Sequence, residues 1–226
     1  MRQWILALLV LFAATAIVAC DDTETDTTPE HERIARNIDG LLLEEQYRSF
    51  LFFWETSNSD PESAGYGMAR DRYPGAEGVA SIASVGFALA GIPIGVENGW
   101  ITYEEGHERA LGTLETLLEM ERYEGFYIHF VSMRTTERVW NSEVSVIDTA
   151  LLVTGALVAG EYFGNEVEDK ALELYEGVNW PWFTNQVTKR YFMGFDPDTR
   201  VHFGAWDGYA EQLMMYVLGA GSPTYP

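Results

Sequence analysis

The sequence predicts an all-α protein whose helices form two concentric layers, the arrangement of an α/α toroid. Three observations predict it. Helical segments that are apolar on nearly every side alternate with amphipathic ones along the chain. A helix apolar all round has to be buried, whereas an amphipathic one covers it and faces water. The loops at one end of the helix pairs carry the clustered Trp, Tyr, Asp and Glu residues. The pattern makes six helices in three hairpins, with one small β-hairpin; an irregular helical bundle is the competing arrangement.

The first 20 residues read as a targeting segment. Arg2 is the sole positive charge before an apolar run, Trp4 to Val18, which meets Ile17-Val18-Ala19-Cys20. A basic end, an apolar stretch and small residues at its exit make a secretory signal. The last four residues resemble the bacterial lipobox, in which the cysteine is lipidated. A plain transmembrane anchor is the alternative, for which the run is slightly short. Cys20 is the single cysteine, so no disulfide is expected. Residues 21–36 are expected to be a flexible acidic tether, because DDTETDTTPEHER (21–33) has no apolar residue to bury. The folded domain is then 37–226.

The helices follow in order. Residues 41–56 place Leu42, Tyr47, Phe50, Leu51 and Trp54 at helical intervals. A Gly/Pro-rich loop runs to Gly78. Residues 79–92 form the first all-apolar helix, with Pro93 and Gly95 expected to end it. Thr102-Tyr103-Glu104-Glu105 is a capping box that opens an amphipathic helix to Met120. Phe126 to Phe130 alternate as a strand. Residues 143–163 form the second buried helix and 166–177 a short amphipathic one. A hairpin turns at Asp196-Pro197-Asp198, and an apolar helix runs from Gly208 to Ala220.

Composition narrows the partners. The formal net charge is −21 and the sequence pI about 4.4. That disfavours nucleic acid, and it disfavours a basic surface on anionic lipid. It suits a neutral ligand. There is no HExxH, cysteine pair or histidine cluster for a metal, and no Walker, Rossmann or GxSxG motif. No metal and no cofactor are expected.

The candidate chemistry lies in four clusters. Trp206-Asp207-Gly208-Tyr209-Ala210-Glu211 sets two carboxylates four residues apart beside two aromatic rings. On a helix that spacing shares one face. Aromatic rings stack on sugar faces, and paired acids serve glycosidic hydrolysis. Dipole compensation at a helix start is the plainer reading. Arg70-Asp71-Arg72 forms a fork for sugar hydroxyls or a surface salt-bridge knot. His129 is a functional residue or a satisfied core histidine. Trp140 and Glu143 precede the second buried helix. Asp148 lies inside that helix, where a charge costs several kcal/mol unless paired. It is expected to support the site or to pair with an arginine.

Together, FWETSN (53–58), DRY (71–73), SIASVGFALAGIPIGVENGWIT (81–102), WNSEVSVIDTALL (140–152), NWPW (179–182) and WDGYAE with its downstream GSPT (206–224) resemble the bacterial glucoamylase-like domain. That family includes the endo-β-1,2-glucanases of glycoside hydrolase family 144. The resemblance covers about residues 45–226. It implies an (α/α)6 toroid, of which this chain has about half. It implies a secreted Gram-negative enzyme that hydrolyses β-glucan, typically β-1,2-linked, with inversion, and no partner chain when complete. Glu211 matches the family's general acid, and the family's WEGYNE stands here as WDGYAE. By resemblance the general base lies outside this half. Glu143 is the second catalytic candidate; Arg70, Asp71, Arg72, His129, Trp140, Trp206 and Asp207 are expected to line the sugar subsites. A non-catalytic glycan-binding lipoprotein is the rival reading. Either way the protein is expected outside the inner membrane, anchored through Cys20 in the periplasm or at the cell surface.

Overall fold

The computed structural model describes residues 30–225. The signal segment, Cys20 and the tether as far as Pro29 lie outside the described residues. The described residues divide into two units at Leu43/Glu44, and the helix and sheet packing below is that of the second.

The first helix, α1, spans Glu30–Thr56 and so begins inside the stretch expected to be a tether. Glu, Arg and Ala favour helix without needing a core, and the absence of apolar residues was a poor guide to its start. The second helical segment splits in two. Val79–Ser81 is a strand, β1, and α2 is Ile82–Glu97. Pro93 does not end α2 but sits buried inside it. Proline removes one N–H, but the turn beyond it still packs. The missing side chain of Gly95 lets the Phe50 ring press on the helix, where a Cβ would meet Phe50 Cε2 at 2.4 Å. The stop comes at Asn98-Gly99, with Gly99 at φ +68.

Helix α3, Tyr103–Glu119, starts on the expected capping box. The Thr102 hydroxyl accepts from the Glu105 N–H, and the Glu105 carboxylate accepts from the Thr102 N–H. The Phe126–Phe130 strand is not formed as expected. Phe126, Tyr127 and Ile128 are buried one after another, and β2 is only Phe130–Ser132. Tyr127 turns inward to donate its hydroxyl to the Leu117 carbonyl at 2.7 Å.

Strand β3 (Val144–Ser145) leads into α4 (Val146–Phe163), and Gly164, at φ +67, joins α4 to α5 (Asn165–Glu176). A 3-10 turn, Trp180–Phe183, precedes β4 (Gly194–Asp196) and β5 (Val201–Phe203), which form the expected hairpin. The last helix, α6, is Leu213–Gly221 and not 208–220. Strand β1 pairs antiparallel with β2, and β3, β4 and β5 form a second small antiparallel sheet in that order.

The two helix layers are present. Helices α2, α4 and α6 pack side by side, with α4 in the middle; α5 covers α4, and α3 packs beside α5 and against α2. The α2–α4 crossing is backbone on backbone. A Cβ on Gly155 would lie 1.9 Å from the Gly86 carbonyl oxygen, and one on Gly86 would lie 2.4 Å from that of Leu151. Helix α4 is long and apolar enough to cross a membrane, but 61% of it is buried in the protein. It is the core helix that its all-round apolarity predicts.

Candidate active site

The site is built where β1 enters α2 and β3 enters α4. Backbone hydrogen bonds join short extended segments at these two helix starts. Asp71 N–H bonds the Val79 carbonyl, Ile82 N–H bonds that of His129, His129 N–H that of Glu143, and Ser145 N–H that of Tyr127. These four bonds tie residues distant in sequence into one frame. Each carries a polar side chain to the N-terminal end of a buried helix, where the aligned peptide dipoles favour negative charge.

His129 is the centre of that frame. Its Nδ1 lies 2.9 Å from Glu143 Oε1, and its Nε2 lies 3.3 Å from Asp148 Oδ1. A neutral imidazole has one N–H and can donate to only one of them; the imidazolium can donate to both. Burial works to lower the His129 pKa, but the hydrogen bond to Glu143 and the charges of Asp148, Glu143 and Asp71 outweigh it. The pKa is raised above the ordinary value. The hydrogen bond from His129 holds Glu143 below the usual carboxylate range against partial burial. Burial pushes Asp148 up, and His129 and Ser145 only partly offset it. The two carboxyls therefore differ. Glu143 is ionised and a third exposed, whereas Asp148 is buried behind the ring.

The partner of Asp148 is thus a histidine and not an arginine. Its other oxygen accepts from the Ser145 hydroxyl, and Ser145 is the N-cap of α4. A buried carboxyl is tolerated because both oxygens are engaged. Both His129 nitrogens are also engaged within the protein. The ring thus lies between the two carboxylates, with its side chain about a quarter exposed.

On the open side, the Phe130 ring stacks on His129 at 3.7 Å and meets Trp140 edge-on at 5.2 Å. Trp140 and Asn141 both have left-handed backbones, φ 57 and 52, in a turn closed by Ser142 N–H on the Val139 carbonyl. That turn presents the indole to solvent, 57% exposed. Arg72 donates to Asp71 at 2.7 Å, with its guanidinium 6.0 Å from the Trp140 ring centre. Arg70 is not part of a fork with them. Its Nε and a terminal nitrogen bond the Gly75 carbonyl, and it lies over Tyr73, so it shapes the 70–77 loop.

The WDGYAE segment departs furthest from expectation. Residues 206–211 are not helical, and Gly208 has φ +78, so Asp207 and Glu211 do not share a helical face. Asp207 pairs with Arg190 at the surface. Trp206 anchors its backbone on the Tyr191 carbonyl and buries its indole N–H without a partner among the described residues. Glu211 is exposed. It lines an open apolar groove with Pro93, Thr154, Leu157, Leu213 and Val217. Thr154 lies six residues along α4 from Asp148, about 9 Å of helical rise. Among the described residues no hydrogen bond or ion pair joins Glu211 to the His129 cluster. The structure thus gathers Asp71, Arg72, His129, Trp140 and Glu143 at one place. Arg70, Trp206, Asp207 and Glu211 make none of the described contacts with that cluster.

Ser145, which caps α4 and donates to Asp148, is not among the residues the sequence singles out. Its signal was present, as a Ser three residues before an Asp at a helix start.

Among the described residues, no His, Cys, Asp or Glu side chains form a group of three or more able to hold a metal ion. No family model matches the chain. The exo-β-1,2-glucooligosaccharide sophorohydrolase (non-reducing end) of Parabacteroides distasonis is 28% identical over an alignment of 204 positions that covers 82% of this chain and 27% of that protein. A solved Bacteroides uniformis protein, provisionally named a glucoamylase, superposes with a TM-score of 0.73 at 27% identity, over 83% of this chain and 47% of its own. The endo-β-1,2-glucanase of Chitinophaga pinensis, solved with sophorotriose and glucose, gives a TM-score of 0.71 at 24% identity, over 83% and 48%. The chain spans about a quarter to a half of the length of the proteins it matches. In sequence and in fold, therefore, the chain is similar to β-1,2-glucan-acting glycoside hydrolases and to glucoamylase-like proteins, and its helices correspond to part of their (α/α)6 toroid.

Proposed function

We propose that the chain carries part of the active cleft of a β-glucan hydrolase, with β-1,2-linked glucan as its substrate. One observation carries the reading. Glu143 is a carboxylate kept ionised from behind by His129 and open in front, next to an exposed indole and an Asp–Arg pair. An ionised carboxylate beside a sugar-stacking ring is suited to accept a proton during the reaction, and this reading gives Glu143 that part in place of a base outside this half. Glu211 is the proposed proton donor to the leaving oxygen. Glu211 faces the groove along α4, apart from the His129 cluster, so its part rests on the family resemblance. Trp140 stacks on a glucose face, and Asp71 and Arg72 bond its hydroxyls. The names of the similar proteins support the substrate class. The lipidation of Cys20 belongs to the same proposal, since a lipid anchor would hold the cleft outside the inner membrane.

The test is to incubate the protein with β-1,2-, β-1,3- and β-1,4-glucans and follow reducing ends and the anomer first formed by proton NMR. The reading expects release from β-1,2-glucan with the α-anomer appearing first. Saturable binding without release favours the glycan-binding lipoprotein, and neither binding nor release removes the sugar reading. Labelled palmitate incorporated equally by wild type and Cys20→Ser would remove the anchor.

A further inference from the structure

We infer that His129 is a positioning residue: clamped between Glu143 and Asp148, it holds Glu143 in its ionised form and fixed orientation, and it does not bind sugar itself. The inference rests on the functional reading above for the use of Glu143, but not for the clamp. The clamp stands on geometry. Each ring nitrogen faces one carboxylate oxygen, at 2.9 and 3.3 Å. The ring cannot swing away, since Phe130 stacks on it at 3.7 Å. Its backbone is pinned on both sides, N–H to the Glu143 carbonyl and carbonyl to the Ile82 N–H. Asp148 is fixed in turn by Ser145, itself buried as the cap of α4. The chain of contacts runs from a helix cap through a buried acid and an imidazole to an open carboxylate.

Few other charges face this ring. Asp71, from the loop ahead of β1, adds negative charge to it. Arg138 acts on Glu143 from the segment after β2, but its Nε is held by the Ser142 carbonyl and a terminal nitrogen by Asp198. Arg72 is engaged with Asp71. With those cations engaged elsewhere, the imidazolium is the one cation in hydrogen-bond contact with Glu143 among the described residues. Losing it would leave Glu143 beside Asp148 and Asp71, three carboxyls without a cation at their centre. Like charges at such range raise each other's pKa. Glu143 would then take up its proton at higher pH and cease to serve as a base in mildly acidic solution.

The experiment compares wild type with His129→Phe, which keeps a flat ring and removes both donors, and Asp148→Asn, which keeps shape and removes one acceptor. Folding is checked by circular dichroism. Glu143 and the imidazole are titrated by carbon-13 NMR in each protein, a readout independent of turnover. The inference expects the Glu143 midpoint to rise in His129→Phe and the imidazole midpoint to fall in Asp148→Asn. On β-1,2-glucan, His129→Phe should lose about 10²-fold or more in kcat. KM should stay within a few-fold, and the acidic limb of the rate profile should move to higher pH. An unchanged Glu143 midpoint in a folded His129→Phe overturns the clamp. So does a loss confined to KM, which would return His129 to sugar binding. Should His129→Phe not fold, the imidazole midpoint in Asp148→Asn decides alone, and no shift there overturns the inference. If wild type cleaves no glucan, the functional reading falls, and the titrations still decide the clamp.

Discussion

His129 and Glu143 stand 2.9 Å apart, Nδ1 to Oε1, although 14 residues separate them along the chain. The contact closes because β2 and β3 both run over the starts of the buried helices. The His129 N–H reaches the Glu143 carbonyl, so the two side chains leave the frame together. Two groups with opposite pKa displacements, raised on the histidine and lowered on the glutamate, form an ion pair over a bounded pH window.

That window is a stability prediction. The folded pKa of His129 is raised, so its contribution is fully present below about 6.5, the ordinary imidazole value, and is lost as pH rises through the folded value. Glu143 is lowered, so its contribution is present above the ordinary carboxyl value of about 4.3 and is lost as pH falls through its folded value. Asp148 is raised by burial and works the other way, favouring the folded state as it gains a proton. The gap in thermal midpoint between wild type and His129→Phe should be widest at about pH 5–6 and close toward alkaline pH. A gap of constant width across that range would mean that the pair contributes shape alone.

The α2–α4 crossing gives a second prediction. A methyl group on Gly155 would lie 1.9 Å from the Gly86 carbonyl oxygen, which is backbone and cannot step aside. Gly155→Ala should cost at least about 1–3 kcal/mol as an overpacked contact, or roughly 2–4 °C in midpoint per kcal/mol. Gly91 lies on α2 with nothing within 4 Å of its Cβ position. Gly91→Ala should therefore stabilise by up to about 1 kcal/mol through helix propensity. Denaturant melts of the two variants should move in opposite directions. Equal shifts would contradict the close crossing.

The groove beside Glu211 gives a third. Val158, Leu213 and Val217 expose 42%, 52% and 64% of their surface there, an apolar face open to water. Contiguous exposure of this kind promotes association, against the repulsion of a strongly acidic chain. Light scattering should show self-association that grows with salt, and Val217→Glu should reduce it. Monomeric behaviour at high salt, unchanged in the variant, would show that the face is not adhesive.

How much of this was legible in the sequence depended on whether the deciding interaction was local. The capping box at Thr102–Glu105, the amphipathic character of α5 and the burial of α4 are set by residues within a turn or two of each other. They were read correctly, and so was the hairpin at Asp196. Val79-Ala80-Ser81 was read as the start of a helix because it is as apolar as the α2 residues after it. Its pairing with Phe130–Ser132 is non-local and leaves no mark in the segment itself. Pro93 was given its usual weight as a breaker, and tertiary packing overrode it. In the candidate site, residue type and position single out Asp71, Trp140 and Glu143, and the structure brings the three together. The flanking of His129 is not legible there, because nothing in Phe126–Phe130 tells that two carboxylates distant in sequence face the ring. Glu211 and Asp207 were placed by a helical spacing that the left-handed Gly208 interrupts.

The central claim is that a glucan is bound where Trp140 and Glu143 meet, at the start of α4. Chemical-shift mapping during titration with a β-1,2-linked glucooligosaccharide tests it most directly. The account predicts saturable shifts at Arg72, His129, Phe130, Trp140 and Glu143, abolished by Trp140→Ala with the fold intact. Saturable shifts confined to the Glu211–Leu218 groove, or none at any concentration, would contradict it.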